Sequence, residues 1–127
     1  MENPSIKVSF DFDATLSIDA VEKYAKELID RGIEVWICTS RCSPENAPNK
    51  EWNDDLFLVA DRLCIKREHI IFTNFANKSD YLNNKGFKWH IDDDSIELSF
   101  IKTDTDLTPI FLFGNKNWKK DCEEAFN

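Results

Sequence analysis

The stretch Val8-Ser9-Phe10-Asp11-Phe12-Asp13-Ala14-Thr15-Leu16 decides how the rest of the chain is read. Val8, Phe10 and Phe12 are apolar, as in a strand buried within a sheet, and they lead straight into two aspartates one residue apart. Positions i and i+2 of a strand share a side, so the Asp11 and Asp13 carboxylates are expected to point together and repel. Such a pair needs a positive partner between its members, or a proton on one of them. Other motifs are weighed by whether they reach this place.

The bulk properties bound the answer. A chain of 127 residues is about one domain, spanning 1–127, and is long enough for one core. Hydrophobic residues make up 42% and aromatics 13%, so it should fold rather than stay disordered. A formal charge of −8 argues against a non-specific nucleic-acid surface, which needs a basic stripe. It leaves room for a phosphorylated substrate, because local fields and bound metal override net charge. No apolar run approaches the ~20 residues of a membrane span, and the N-terminus lacks a signal-peptide pattern. The expectation is a soluble cytoplasmic protein without a membrane partner. Cys38, Cys42, Cys64 and Cys122 form no CxxC pair and no zinc-type cluster. Cys38 and Cys64 read as small buried hydrophobes, and disulfides are not expected in an intracellular chain.

In order, Ile6 to Phe10 is the first strand. Ser17 or Asp19 is placed to cap the next helix, with Glu22 three residues after Asp19 as in a capping box. Val21, Tyr24, Ala25, Leu28 and Ile29 recur at helical spacing, and Gly32 is the stop. Ile33 to Cys38 is the second strand, ending in Thr39-Ser40-Arg41; one β-α-β unit is complete, which implies parallel strands. Cys42 to Lys50 reads as a loop, and Trp52, Leu56, Val59, Ala60 and Leu63 mark a second helix. Ile70 to Thr73 is a third strand, Asn77 to Asn84 a short helix carrying Lys78, and Phe87 to Ile91 a fourth strand running into Asp92-Asp93-Asp94. Ser95 to Phe100 reads as a helical turn, Thr103 to Thr108 as a polar loop, and Pro109 to Phe113 as a fifth strand. A last helix carries Trp118, Cys122 and Phe126 on one side.

Strands alternating with helices predict an α/β fold: a central parallel sheet of about five strands between layers of helices. Ligands of such sheets bind beyond the carboxyl ends of the strands. Asp11 and Asp13, then Thr39, Ser40 and Arg41, then Lys78, then Asp92, Asp93 and Asp94 all follow strand ends.

With these residues in order, the chain resembles the haloacid dehalogenase superfamily of phosphohydrolases over nearly its full length. The motifs are Asp11-Phe12-Asp13-Ala14-Thr15, Thr39 at a strand end, Lys78, and the Asp92-Asp93 pair. The resemblance implies a three-layer Rossmann-like fold and a phosphatase acting on phosphate esters. Asp11 would be the nucleophile and Asp13 the general acid/base. Thr39 would hydrogen-bond the phosphoryl group. Ser40 and Arg41 beside it are further substrate-contact candidates, Arg41 for a second phosphate, with a surface arginine as the commoner alternative. Lys78 would neutralise nucleophile and phosphate. Mg²⁺ would be held by Asp11, Asp92, Asp93 and the Asp13 backbone carbonyl, although Asp93 and Asp94 are an alternative pair. One β-α-β unit uses nearly all the residues between Thr15 and Thr39, so the resemblance implies no cap domain there and an open site rimmed by residues 42–52. That favours a bulky substrate or a cap from another subunit. A non-catalytic binding module and a nucleic-acid end phosphatase are the rival readings.

The physics of the residues points the same way. Phosphoryl transfer asks mainly for positioning and charge compensation. One lysine cannot offset four carboxylates, and hard oxygen ligands suit Mg²⁺. His90 alternates to the same side as Asp92 and reads as a packed, structural histidine. Asp94 reads as a helix cap with Ser95. Trp36, Trp52, Trp89 and Trp118 sit at core-like periodic positions.

Overall fold

Five apolar runs become strands because each finds a neighbour to take its backbone hydrogen bonds, which a buried segment requires. In the computed structural model, which describes residues 5–127, β1 (Lys7–Phe10) lies at the centre of the sheet. It is flanked by β2 (Glu34–Thr39) and β4 (Phe87–Asp92), with β3 (Ile70–Phe72) and β5 (Thr108–Phe111) at the edges. All pairings are parallel and the order is β3-β2-β1-β4-β5. The fold is α/β, a five-stranded parallel sheet between helices in the three-layer Rossmann-like manner.

Alternate residues of a strand serve opposite layers. Phe10, Ile37, Trp89 and Ile91 pack with α1 (Asp19–Asp30), α2 (Asp54–Arg62) and α5 (Trp118–Glu124) through Tyr24, Leu28, Leu56, Ala60 and Cys122. On the other face Trp36, Cys38 and Phe87 meet α3 (Lys78–Leu82) and α4 (Ser95–Asp104) through Leu82 and Ile101. An irregularity in β4 between the Lys7–Phe87 and Ser9–His90 pairs lets Phe87 and His90 serve this same layer. Steps from β1 to β3 run one way across the sheet and the step from β4 to β5 runs the other. Right-handed crossovers then put α1 and α2 on one face and α4 on the opposite one. The reversal falls between β1 and β4, and the crevice beside such a reversal is where these sheets hold ligands.

Several expectations need correction. The capping box does not form: Ile18, extended, precedes α1 without a side-chain cap, and the Ser17 hydroxyl accepts instead from the Ala14 N–H at 3.1 Å. Asp19 and Glu22 lie in the first turn, where acids suit the helix dipole, and Glu22 pairs with Arg62 of α2 at 2.7 and 2.8 Å. Trp52 lies ahead of α2 and is exposed rather than part of the core. Cys64 is also exposed, beyond the end of α2 at a φ of 59°, because the chain turns there into the left-handed region. Residues 95–104 form a full helix, not a turn and a loop. β5 stops at Phe111, leaving Phe113 on the surface. Residues 44–46 make one tight helical turn within the expected loop. Among the described residues, no helix is long and apolar enough to cross a membrane.

Candidate functional site

β1 ends at Phe10, and the chain leaves the sheet in a wide, non-helical turn over Phe12–Leu16, with Asp13 extended at a ψ of 127° and Ala14 left-handed at a φ of 55°. That turn separates the two aspartates. The Asp11 N–H donates to the Ile91 carbonyl at 3.0 Å, so Asp11 stays in line with the sheet and is buried. Asp13 is turned outward with its side chain 57% exposed. The expectation that both carboxylates point together is therefore wrong, since it required the strand to run on through Asp13. Each found its own cation: Asp11 has Lys78 and Asp13 has Arg41.

Lys78 opens α3, whose N-terminus is tied to α4 by the Lys78 N–H donating to Glu97 Oε2 at 3.1 Å. Its buried ammonium donates to Asp11 Oδ1 at 2.8 Å and to Asp92 Oδ2 at 2.6 Å. Thr15 donates its hydroxyl to the other Asp11 oxygen at 3.1 Å, and Asp93 Oδ1 lies 3.5 Å from the same hydroxyl. Asp94 caps α4 by accepting from the Ile96 N–H at 2.9 Å, and its own N–H donates to Asp92 Oδ1 at 3.1 Å. Of the acidic triplet, Asp92 and Asp93 lie with Asp11, and Asp94 caps α4. Asp11, Asp92 and Asp93 each offer a carboxylate oxygen within 4.8 Å of the others. Hard divalent cations use oxygen-only sets of this kind, and three carboxylates against one ammonium leave two negative charges uncompensated.

His90 and Ser9 support the cluster from within the sheet. His90 Nε2 lies 2.8 Å from Asp92 Oδ2, and Nδ1 lies 2.8 Å from Ser9 Oγ. A carboxylate only accepts, so Nε2 carries the hydrogen and Nδ1 accepts from the serine. The packed histidine expected from alternation is therefore also the support of an acid. Ser9 and Thr15 had no role in the sequence reading. Their signal was present: Ser9 is a polar residue inside an apolar strand, two before Asp11, and Thr15 closes the motif that begins at Asp11.

The electrostatics follow from burial and crowding. Burial, then the charge of Asp92, raises the Asp11 carboxyl well above the ordinary range, and Lys78 offsets only part of this. Burial also works against ionised Asp92, but His90 and Lys78 outweigh it and hold this carboxyl well below its usual value. Lys78 stays firmly charged because Asp11 and Asp92 overcome its desolvation. Burial lowers His90, more than Asp92 can restore, so the ring is neutral at neutral pH.

Thr39, Ser40 and Arg41 lie on the other flank. Thr39 is fully buried, and its Oγ1 accepts from the Arg41 N–H at 3.3 Å; among the described residues no side-chain hydrogen bond joins it to Asp11 or Lys78. Arg41 is a strut. Nε and Nη2 donate to Asp13 at 3.0 and 2.7 Å, Nη1 and Nη2 to Asp55 at 2.7 and 2.9 Å, and Nη1 also to the Trp52 carbonyl at 3.0 Å. The guanidinium lies 5.0 Å from the Phe12 ring centre. Its donors are all engaged by protein, so the expected substrate contact of Arg41 is not what this arrangement provides. Ser40 and Arg41 join Asp13, Trp52 and Phe75 around a pocket of about 280 Å³. A second, more apolar pocket of about 680 Å³ abuts Asp93, lined among others by Ile18, Phe113 and Trp118.

The chain matches no protein-family model, no curated protein and no solved structure.

Proposed function

We propose that the crevice between β1 and β4 hydrolyses phosphate monoesters through a covalent intermediate on Asp11. The observation that carries this reading is the position of Asp11: a buried carboxylate at the sheet reversal, bonded to Lys78 and grouped with Asp92 and Asp93. Asp11 attacks phosphorus, the ester P–O bond breaks, and the leaving oxygen takes a proton from Asp13. Asp13 then accepts a proton from the water that cleaves the acyl phosphate, which releases inorganic phosphate and restores Asp11. Lys78 balances the charge of Asp11 and of the incoming phosphoryl group. Asp11, Asp92 and Asp93 are the residues that would hold Mg²⁺, which when bound supplies the positive charge that this acid-rich, oxygen-only set lacks. For Asp13 to act, its carboxylate must break both bonds to Arg41 and turn toward the crevice, and its over-half-exposed side chain gives it solvent space in which to do so.

The test is Mg²⁺-dependent release of p-nitrophenol from p-nitrophenyl phosphate, abolished by chelator and by Asp11→Asn. A panel of nucleotides, sugar phosphates, phosphoamino acids and end-phosphorylated oligonucleotides then defines the substrate. The outward, paired position of Asp13 favours a second reading, a module that binds a cation or phosphate without turnover. Mg²⁺ binding with no hydrolysis across that panel selects it.

A further inference from the structure

The Asp13 flank carries a feature that phosphate hydrolysis alone leaves unexplained. Asn74 and Phe75, just after β3, have φ values of 52° and 68°, two non-glycine residues in succession in the left-handed region. That conformation is disfavoured for any residue with a Cβ, and most for a bulky one. The loop is locked into it: the Phe75 N–H donates to the Ser40 carbonyl at 2.8 Å and the Asn74 N–H to the Arg41 carbonyl at 3.2 Å. Asn74 Oδ1 also accepts from the Ser43 N–H at 3.0 Å. These bonds hold the Phe75 side chain at the surface, 71% exposed, so no burial rewards the strained backbone. Trp52, 38% exposed, lines the same pocket with its carbonyl pinned by Arg41. Strain that persists without a packing return is a mark of a functional surface.

We infer that Trp52 and Phe75 form a leaving-group subsite for a flat aromatic or heteroaromatic ring. The substrates are then phosphate monoesters whose alcohol carries such a ring, as in aryl phosphates and nucleoside monophosphates. Pre-positioned, solvent-facing aromatics bind flat rings by stacking, and they do so at low entropic cost. The pocket also contains Asp13, the group that must face the leaving oxygen. The larger pocket around Phe113 abuts Asp93 and lacks Asp13, so it is the less suited of the two. The inference rests on the phosphatase reading and adds to it the class of alcohol released.

Two matched pairs test it: phenyl against cyclohexyl phosphate, and a nucleoside 5′-monophosphate against ribose 5-phosphate. Each is assayed as kcat/KM with Mg²⁺ in the wild type, Trp52→Ala, Phe75→Gly and Phe113→Ala. Phe75→Gly removes the ring while easing the left-handed backbone, so a thermal melt confirms an intact fold. The wild type is expected to favour the ring-bearing member of at least one pair by ~10-fold or more, and the pair concerned tells aryl from nucleotide substrates. That ratio falls toward one in Trp52→Ala and Phe75→Gly and survives in Phe113→Ala. Equal kcat/KM within both pairs, or a ratio lost in Phe113→Ala and kept in the other two, overturns the inference while hydrolysis itself stands. If no ester turns over, the phosphatase reading fails, and ligand-observed NMR with adenosine and phenol decides the subsite separately. Ring binding lost in Trp52→Ala and Phe75→Gly keeps it as a binding site; no binding by the wild type removes it as well.

Discussion

The ammonium of Lys78 lies 2.8 Å from Oδ1 of Asp11, and both side chains are almost wholly buried. Lys78 is also the sole cation hydrogen-bonded to Asp11 and Asp92 among the described residues. Removing one partner of a buried ion pair leaves an uncompensated charge and typically costs 3–5 kcal/mol. Lys78→Met is therefore expected to lose about 3 kcal/mol or more in urea unfolding at neutral pH, with part of the loss recovered in Mg²⁺. A variant as stable as the wild type would show that the carboxylates are not held together as described.

Asp11 carries the opposite sign. Its folded pKa is raised, first by burial and then by Asp92, above the value of about 3.9 expected when unfolded. Its contribution to stability is thus complete below that value and is lost as pH rises through the folded pKa, making it a liability at pH 7 without metal. In Asp11→Asn the amide oxygen still accepts from Lys78 and the charge is gone. The expected outcome is a metal-free melting temperature about 4 °C higher, from a gain of about 1 kcal/mol, together with complete loss of turnover. A variant that melts below the wild type in chelator contradicts this.

The histidine behind the acids makes a prediction in pH. His90 is lowered by burial, so the unfolded chain takes up its proton first as pH falls below about 6.5. Its share of stability is present above that pH and is lost progressively down to the folded pKa. Urea unfolding at pH 7.5 and 5.5 should show a larger drop in the wild type than in His90→Gln, which has nothing to titrate. Gln should also be less stable at pH 7.5 by ~1 kcal/mol, having disturbed the Ser9 and Asp92 hydrogen bonds. Equal drops in both proteins would mean that the ring takes up its proton alike in the folded and unfolded chain, and a smaller drop in the wild type would mean that it is already charged when folded.

Cation binding is separable from catalysis by thermal shift. Mg²⁺ at about 100 times its dissociation constant adds ~2.7 kcal/mol to the folded state. The wild type should show a clear upward shift that chelator reverses, reduced in Asp93→Asn. Asp94→Asn is the control: asparagine caps a helix as well as aspartate does, so the Mg²⁺ shift should persist. A shift abolished by Asp94→Asn but not by Asp93→Asn would move the cation to the other pair.

Much of this was legible in the chain itself, and the misses have physical reasons. Runs such as 33–38 and 87–91 bury most of their residues, so a mainly apolar stretch, broken only by Glu34 in one and by Lys88 and His90 in the other, was enough to place them as strands. The end of α4 was not legible because Thr103 and Thr105 look like loop residues. In the structure the Thr103 hydroxyl donates back to the Ser99 carbonyl and that of Thr105 to the Ile101 carbonyl, so the polar groups are satisfied along the helix. Lys78 and the acids of residues 92 and 93 met Asp11 as the order of strand ends implied. Asp13 did not, because the turn at Ala14 cancels the alternation that an extended strand would have kept. Nor could spacing reveal that Arg41 would be spent on Asp13 and Asp55, since those bonds depend on where α2 begins.

Asp13 then offers the clearest separation of function from stability. Its side chain is 57% exposed while that of Arg41 is 13% exposed, and a pair open to solvent on the acid's side contributes about 1 kcal/mol. Arg41 keeps Asp55, the Trp52 carbonyl and the Phe12 ring when Asp13 is changed, so the strut remains. Asp13→Asn should therefore unfold within about 1 kcal/mol of the wild type while kcat falls by ~10²–10⁴ for esters with poor leaving groups. The fall should be smaller for p-nitrophenyl phosphate, whose leaving oxygen needs little help from an acid. An Asp13→Asn enzyme that hydrolyses alkyl and nitrophenyl esters at wild-type rates would show that the carboxylate never leaves Arg41 to act, and that protonation comes from elsewhere.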